Sequence, residues 1–359
     1  MATESEVLDA LRPIIDPDFD QSIVDLGFVK NIEIEGDTVR FEIQLTTPAC
    51  PIKAEFEQAA RERVSALAGV TEVEVKMTAD TRKTATQISE ADVLPGVKNT
   101  IAVASGKGGV GKSTTAVNLA LALRATGARV GVLDADVYGP SLQMLTGATD
   151  RPQATEDRIL PVEAHGLKLI SMGFFLTEDS PVIWRGPMVH GLIKQFLTDV
   201  EWGELDYLVI DLPPGTGDAA LTLTQMCPLS GAVIVTTAND LSTVDARKGL
   251  AMFAQVGVRV LGIIENMSYF TPPELPNKKY YIFGRDGGKR VAEDLGIEFL
   301  GEVPIDPRVV ETGDQGRPIT ISEPDSDAAK AFFELAGTVA RKLAMLAEES
   351  PPTSDTAIN

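Results

Sequence analysis

The stretch that decides the fold reads Gly106-Lys107-Gly108-Gly109-Val110-Gly111-Lys112-Ser113-Thr114. It follows a short apolar run, residues 101–104, and precedes a helical pattern over residues 115–125. Its spacing satisfies the pattern G-x-x-x-x-G-K-S/T, whose glycines let backbone amides turn towards the phosphates of a nucleotide. The strand before it and the helix after it favour this interpretation over a glycine-rich turn with a fortuitous lysine. All residues of the stretch are therefore predicted to bind ATP.

Two side chains of this stretch have predicted chemical roles. Lys112 is expected to reach the β- and γ-phosphates, and Ser113 is expected to ligate Mg²⁺. The N-terminus of the following helix adds a positive field to the same place. The sequence thus predicts a P-loop with Lys112 as its main catalytic cation.

Two further apolar runs end in aspartates. Val132 and Leu133 lead into Asp134 and Asp136, and the run from Tyr207 leads into Asp211. Ligands of open α/β sheets gather at such carboxyl ends of strands, although a single Asp there is more often a cap. Asp134 is predicted to hold a magnesium-bound water, Asp136 to orient the attacking water as a catalytic residue, and Asp211 to be an outer-shell magnesium partner. The amide of Gly215, in the segment PPGTGD, is a predicted γ-phosphate donor.

Hydrophobic periodicity divides the chain into four sections, residues 1–78, 79–98, 99–348 and 349–359. The first mixes short helical and alternating patterns, with a hairpin about Gly36, and predicts a small α+β domain. The second is polar and is interpreted as a linker. The third alternates continuous apolar runs with helices, which predicts a P-loop NTPase fold of the α/β class: a mostly parallel sheet flanked by helices. The fourth is predicted to be a disordered tail.

The composition of the chain narrows the classes of molecule that it is expected to bind. The chain has 52 acidic and 32 basic residues and a net charge of −20, which repels nucleic acid and anionic membranes. An ordinary soluble acidic protein and a protein from a salt-loving host both fit this charge. No apolar run is long enough to span a membrane, the N-terminus lacks a secretory pattern, and two cysteines fit a reducing cytosol. A cytoplasmic location is expected.

A second lysine near the start of the loop, Lys107, gives the stretch the form GKGGVGKST. This form resembles the deviant-Walker branch of P-loop ATPases. The resemblance implies that Lys107 reaches across a homodimer to the partner's nucleotide and acts there as a catalytic residue. Physically, a second cation stabilises the charge that develops in phosphoryl transfer, as an arginine finger does. An exposed loop lysine is the weaker interpretation.

Other segments resemble one member of that branch. DADVYGPS, DLPPGTGD and ENMSYF look like the Mrp-type iron–sulfur cluster carriers, and the resemblance covers residues 99–320. Residues 22–27 and 46–51 look like the small domain fused to bacterial members and to the chloroplast high-chlorophyll-fluorescence scaffold. The resemblance implies that Asn266 recognises adenine and that apo iron–sulfur proteins are clients. Asn239 stands where the family usually has glutamine, so no role is assigned to it.

The usual metal ligands of these carriers are missing. They carry a C-x-x-C after the ENMS segment, and two such pairs clamp one cluster between subunits. Here residues 271–281 read TPPELPNKKYY, so binding by those ligands is excluded. Cys227 lies in apolar sequence and is interpreted as a core residue. Cys50 precedes the helix at 52–67, whose N-terminus favours a thiolate. It is either a half-buried structural thiol or a candidate ligand of a 4Fe-4S cluster.

The sequence favours an ATP-binding, slowly hydrolysing homodimer that carries iron–sulfur clusters. A spatial organiser of the partition or septum-site type is one alternative, but it needs a basic amphipathic helix or patch, and the C-terminus is acidic. A regulatory ATPase without a cluster is the other, because the C-x-x-C is missing. His165 and His190 lack metal-ligand spacing and are expected to be structural or solvated.

Overall fold

The computed structural model of the chain describes residues 2–50, 52–84, 93–155, 157–175 and 186–349. It divides into two compact units, residues 1–83 with 340–359 and residues 84–339. Residues 85–92 of the predicted linker and the predicted tail from residue 350 lie outside the described residues. No helix within the described ranges has both the length and the apolar character that crossing a bilayer requires.

The first unit packs two helices against a small sheet. Its helices and strands are α1 (Glu4–Leu11), β1 (Ile15–Asp16), β2 (Gln21–Ser22), β3 (Val29–Glu35), β4 (Thr38–Leu45), α2 (Lys53–Ser65) and β5 (Glu72–Ala79). The strands β3 and β4 form an antiparallel hairpin whose turn contains Gly36 at φ +67°, and β5 pairs parallel to β4. The predicted α+β character and the predicted hairpin are confirmed.

The core of this unit comes from the N-terminal section. Its buried apolar residues run from Val7 to Val73, and Phe41 is among the largest of them. The unit also includes residues 340–349, on which Leu343 is fully buried and Arg341 forms an ion pair with Asp18 at 3.5 Å. The sequence pattern had grouped residues 340–349 with the nucleotide-binding section. The predicted section boundaries stay a prediction.

The second unit is built on a large sheet. Its strands are β6 (Val97–Ala104), β7 (Val130–Asp134), β8 (Gln153–Ala154), β9 (Ile159–Leu160), β10 (Val162–Ala164), β11 (Leu167–Ser171), β12 (Leu205–Asp211), β13 (Gly231–Thr236), β14 (Val260–Glu265) and β15 (Phe299–Glu302). Its helices are α3 (Lys112–Ala125), α4 (Leu142–Thr146), α5 (Gly186–Thr198), α6 (Asp218–Met226), α7 (Asp240–Gln255), α8 (Gly287–Leu295), α9 (Pro307–Asp314), α10 (Ile319–Ser322) and the first part of α11 (Asp327–Glu349), with a 3₁₀ turn at Met172–Phe175.

Eight strands form the sheet in the order β10-β11-β7-β12-β6-β13-β14-β15, and only the edge strand β10 runs antiparallel. The strands β7, β12 and β13 are buried along their whole length, which explains their continuous apolar sequences. The mostly parallel sheet flanked by helices is thereby confirmed.

The register of this sheet positions the site. Asp211 at the end of β12 pairs with Asp134 at the end of β7 and with Val103 near the end of β6. The phosphate loop follows β6 directly, so the loop and both aspartates meet at one edge of the sheet. Neighbouring parallel strands produce this convergence because their carboxyl ends point the same way.

We predict that residues 1–83 fold as an isolated fragment, because the core from Val7 to Val73 lies wholly within them. The fragment should show a cooperative thermal transition by circular dichroism, at a lower temperature than in the full chain because the burial of Leu343 is lost. In the fragment, Phe41→Ala should cost about 3–5 kcal/mol and abolish the transition. The exposed Glu33→Ala should leave it intact. A fragment without any cooperative transition would contradict the prediction.

Candidate nucleotide-binding site

The phosphate loop has a backbone that requires glycine at two positions. Gly109 and Gly111 both have φ +80°, in the left-handed region. A Cβ at Gly111 would also overlap the amide of Asn266, which donates a hydrogen bond from Nδ2 to the carbonyl of Val110 at 2.8 Å. Gly111 directly precedes α3. The first backbone amides of that helix, which have no partner within the helix, therefore lie next to the loop. The local sequence thus forms a curved backbone loop at a helix N-terminus, which is suited to binding an anion.

Lys112 is buried at the base of this loop. Its ammonium donates to the carboxylate of Asp211 and lies 3.3 Å from Oγ of Ser113. Burial raises the pKa of Asp211, and the charge of Lys112 opposes that effect. The predicted phosphate lysine and the predicted magnesium partner therefore lie in contact.

Asp134 lies beside this pair and organises the loop after β7. One of its oxygens accepts from the amide of Asp136 at 3.0 Å, and the other accepts from the amide of Ser141 at 3.1 Å and the hydroxyl of Ser171 at 3.0 Å. Burial, together with the charge of Asp211, raises the pKa of Asp134 to about 7. Two neighbouring carboxylates thus lie buried at this edge of the sheet, and Lys112 pairs with Asp211, which makes the edge electrostatically suited to a further cation.

A cavity of about 340 Å³ opens above the loop. Four predicted site side chains line it together: Lys107, Lys112, Ser113 and Asp136. The loop residues Gly108, Gly109, Gly111 and Thr114 also line it. Its far wall comes from α9, where Val309 and Gly313 face the cavity. No sequence motif marks α9, so the sequence analysis missed this wall.

Four predicted residues make contacts, or lie at places, other than those expected of them. The amide of Gly215 donates to the carbonyl of Ser105 at 2.9 Å, so a bond from it to a γ-phosphate would replace that contact. Asn266 buttresses the loop backbone through Val110. Asp134 and Asp211 lie behind the cavity wall, whereas Asp136 lines it. The nucleotide roles of these residues stay predictions.

The residues without assigned chemistry have structural roles. Asn239 caps α7, because its side chain accepts from the amide of Ser242 at 2.9 Å. His165 lies 2.9 Å from the carbonyls of Thr146 and Gly316, and His190 is exposed. The expectation that both histidines are structural or solvated is confirmed.

The two cysteines differ in burial. Cys227 is part of the core of the second unit, as predicted, and burial raises its pKa to about 12. Cys50 belongs to the first unit and is half-buried. The expected thiolate character of Cys50 is wrong: burial raises the pKa of its thiol to about 11, and the N–H of Ile52 lowers it too little to compensate. In the part of the chain that the structure describes, no three His, Cys, Asp or Glu side chains form a metal-binding group.

Two family models match different parts of the chain. Residues 96–340 match a family described as NUBPL iron-transfer P-loop NTPase. Residues 4–75 match a family described as iron-sulfur cluster assembly protein. The second match ends before the predicted linker, and the first begins at residue 96, within the last residues of that linker.

Curated and solved proteins resemble the same regions. An iron-sulfur cluster carrier protein of Synechocystis sp. is 49% identical, covering 97% of this chain and 99% of its own length. The chloroplastic Fe-S cluster assembly factor HCF101 of Arabidopsis thaliana is 46% identical over 97% of this chain, which spans 65% of that longer protein. A nucleotide-binding protein from Archaeoglobus fulgidus, solved with ADP, is 39% identical with a TM-score of 0.59, covering 67% of this chain and 96% of that one.

Proposed function

This chain belongs to the NUBPL iron-transfer P-loop NTPase family, and from that premise we propose that it binds ATP with Mg²⁺, hydrolyses it slowly as a cytoplasmic homodimer and carries an iron–sulfur cluster to apoproteins. The observation that carries the proposal is the joining of two modules in one chain. One matches an iron-sulfur cluster assembly family, and the other holds a formed phosphate loop beneath a cavity.

The nucleotide half of the proposal rests on the chemistry at the sheet edge. The phosphates would lie on the amides at the start of α3, with Lys112 beside them. The hydroxyl of Ser113 and the carboxylate of Asp211 are hard oxygen donors of the kind that Mg²⁺ prefers. Burial raises the pKa of Asp211 and the charge of Lys112 opposes that shift, so a further cation would favour the ionised carboxylate. These residues fit the ion, which would neutralise phosphate charge when bound.

Hydrolysis needs a positioned water and charge stabilisation. Asp136 lines the cavity, and its carboxylate would accept a hydrogen bond from the water that attacks the γ-phosphorus. Lys107 lines the same cavity and would stabilise the charge that passes to the oxygens of the transferred group, acting on the nucleotide of a partner subunit. ADP and phosphate would then leave.

The iron–sulfur part of the proposal depends on which of the two thiols could ligate a cluster. The chain has two cysteines, and Cys227 is buried in the core, which leaves Cys50 as the candidate cluster ligand. A single thiol per subunit cannot complete a 4Fe-4S cluster, which takes four ligands. We infer that a carried cluster would be shared between subunits or with the client. Its binding would have to deprotonate Cys50, as iron coordination does for a thiol.

Lys107→Ala should leave ATP affinity within about twofold of the wild type, because Lys112 supplies the charge at the subunit's own phosphates. Its ATPase rate should fall by at least about 100-fold if Lys107 acts on the nucleotide of the partner subunit as an arginine finger does. Calorimetry measures the affinity and phosphate release measures the rate. Lys194→Ala, which removes an exposed lysine of α5, is the matched control. Wild-type turnover by Lys107→Ala would contradict the role of Lys107.

Cys50→Ser should remove the visible absorbance that anaerobic reconstitution with iron and sulfide gives, and it should abolish transfer to an apo-ferredoxin. Cys227→Ser is the control and should keep both, because a thiol in the core reaches no cluster. Equal iron content in Cys50→Ser and the wild type would contradict the assignment of Cys50. A wild type that binds no cluster would favour the regulatory ATPase, an alternative to which the missing C-x-x-C already points.

A further inference from the structure

The segment that joins β7 to α4, residues 135–141, ends in a serine to which the nucleotide chemistry above gives no role. Ser141 lines the cavity above the phosphate loop, together with Lys112 and Asp136. Its hydroxyl oxygen is buried and has no hydrogen-bond partner among the described residues. Such a hydroxyl is unusual, because burial removes its hydrogen bonds to water and folded proteins almost always replace them.

Two other buried side-chain atoms in the described part of the chain also have no hydrogen-bond partner: Oγ1 of Thr78 and Oε1 of Gln143. Thr78 lies on β5 in the first unit, and Gln143 is not part of the lining of the nucleotide cavity. Of the three, Ser141 is therefore the residue that borders a space in which a ligand could supply the missing partner.

The position of Ser141 at a helix start makes the unpartnered hydroxyl more informative. Ser141 is the N-cap residue of α4, where a serine hydroxyl usually accepts a hydrogen bond from an amide of the first turn, yet its side chain makes no such bond. The carboxylate of Asp134 accepts instead from the amides of Ser141 and Leu142, at 3.1 and 3.3 Å. Because Asp134 satisfies these two amides, the start of α4 does not need the serine hydroxyl.

The same carboxylate relates Ser141 to the residues expected to meet the phosphates. One oxygen of Asp134 accepts from the amide of Asp136 at 3.0 Å, and the other accepts from the amide of Ser141. Asp134 also pairs in register with Asp211, whose carboxylate binds the ammonium of Lys112. Ser141 is therefore held near the phosphate lysine and on the same loop as the residue predicted to orient the attacking water.

We propose that the hydroxyl of Ser141 binds the terminal phosphate of ATP. Rotation about the Cα–Cβ bond of Ser141 turns the hydroxyl into the cavity, where it donates a hydrogen bond to an oxygen of the γ-phosphate. A hydrogen bond to a charged phosphate is stronger than one between neutral groups. ADP lacks this phosphate, so Ser141 distinguishes the two nucleotides and connects the loop that carries Asp136 to the presence of ATP. The inference rests on the proposed binding of ATP and is independent of the cluster.

The test measures, by calorimetric titration of the full-length chain, the affinities for Mg-ADP and for the magnesium complex of adenylyl imidodiphosphate, an ATP analogue that resists hydrolysis. Ser141→Ala should bind the analogue about tenfold more weakly than the wild type does, because one charge-assisted hydrogen bond to the terminal phosphate is lost. Its affinity for ADP should stay within about twofold of the wild type. Thr78→Val is the matched control: it removes an unpartnered hydroxyl from the first unit and should change neither affinity.

Thermal unfolding without nucleotide separates phosphate binding from a structural role of the hydroxyl. Ser141→Ala should unfold at the wild-type temperature or slightly above it, because the substitution breaks no hydrogen bond within the protein. A clearly lower unfolding temperature would overturn the proposal, as would equal losses of affinity for the analogue and for ADP. So would a Ser141→Ala protein that keeps the wild-type preference for the analogue. A wild type that binds neither nucleotide would overturn the proposed ATP binding, and this inference with it.

Discussion

The Lys112 ammonium and the Asp211 carboxylate form an ion pair buried at the carboxyl edge of the parallel sheet. Moving both charges out of water is expensive, and breaking such a pair by removing one partner typically costs about 3–5 kcal/mol. The pair exists because β12 lies beside β6, whose following loop carries the lysine. The cavity, the glycine geometry and the second aspartate are all arranged around this one contact.

The neighbouring carboxylate of Asp134 places a second buried acid beside the Lys112–Asp211 pair. Asp134 is held by backbone amides and by Ser171, so it cannot turn away from Asp211. Its raised pKa and that of Asp211 share a cause, which is burial of negative charge with one lysine to offset it. A nucleotide with its cation would bring positive charge to this edge while drawing Lys112 towards phosphate. The buried negative charge of the two aspartates would therefore favour the binding of Mg²⁺ together with ATP.

Much of this architecture could be predicted from the sequence. The runs ending at Asp134 and Asp211 are continuously apolar because both faces of their strands are covered, and the phosphate loop has a spacing that few other structures share. Long-range packing could not be predicted. The apolar stripe of α11 looks uniform along its length, so nothing local indicates that residues 340–349 belong with the first unit. The pKa of Cys50 was predicted in the wrong direction because local sequence shows the helix start but not the burial. The wall from α9 carries no motif at all.

Calorimetric titration of Lys112→Ala with Mg-ATP shows whether Lys112 holds the nucleotide at this edge of the sheet. The fold of the variant is checked by circular dichroism, and Lys194→Ala serves as the control for loss of a lysine elsewhere. We expect ATP affinity to fall by roughly 100-fold or more, because charge-assisted contacts to the phosphates are lost. A folded Lys112→Ala protein that binds Mg-ATP with wild-type affinity would show that Lys112 does not hold the nucleotide.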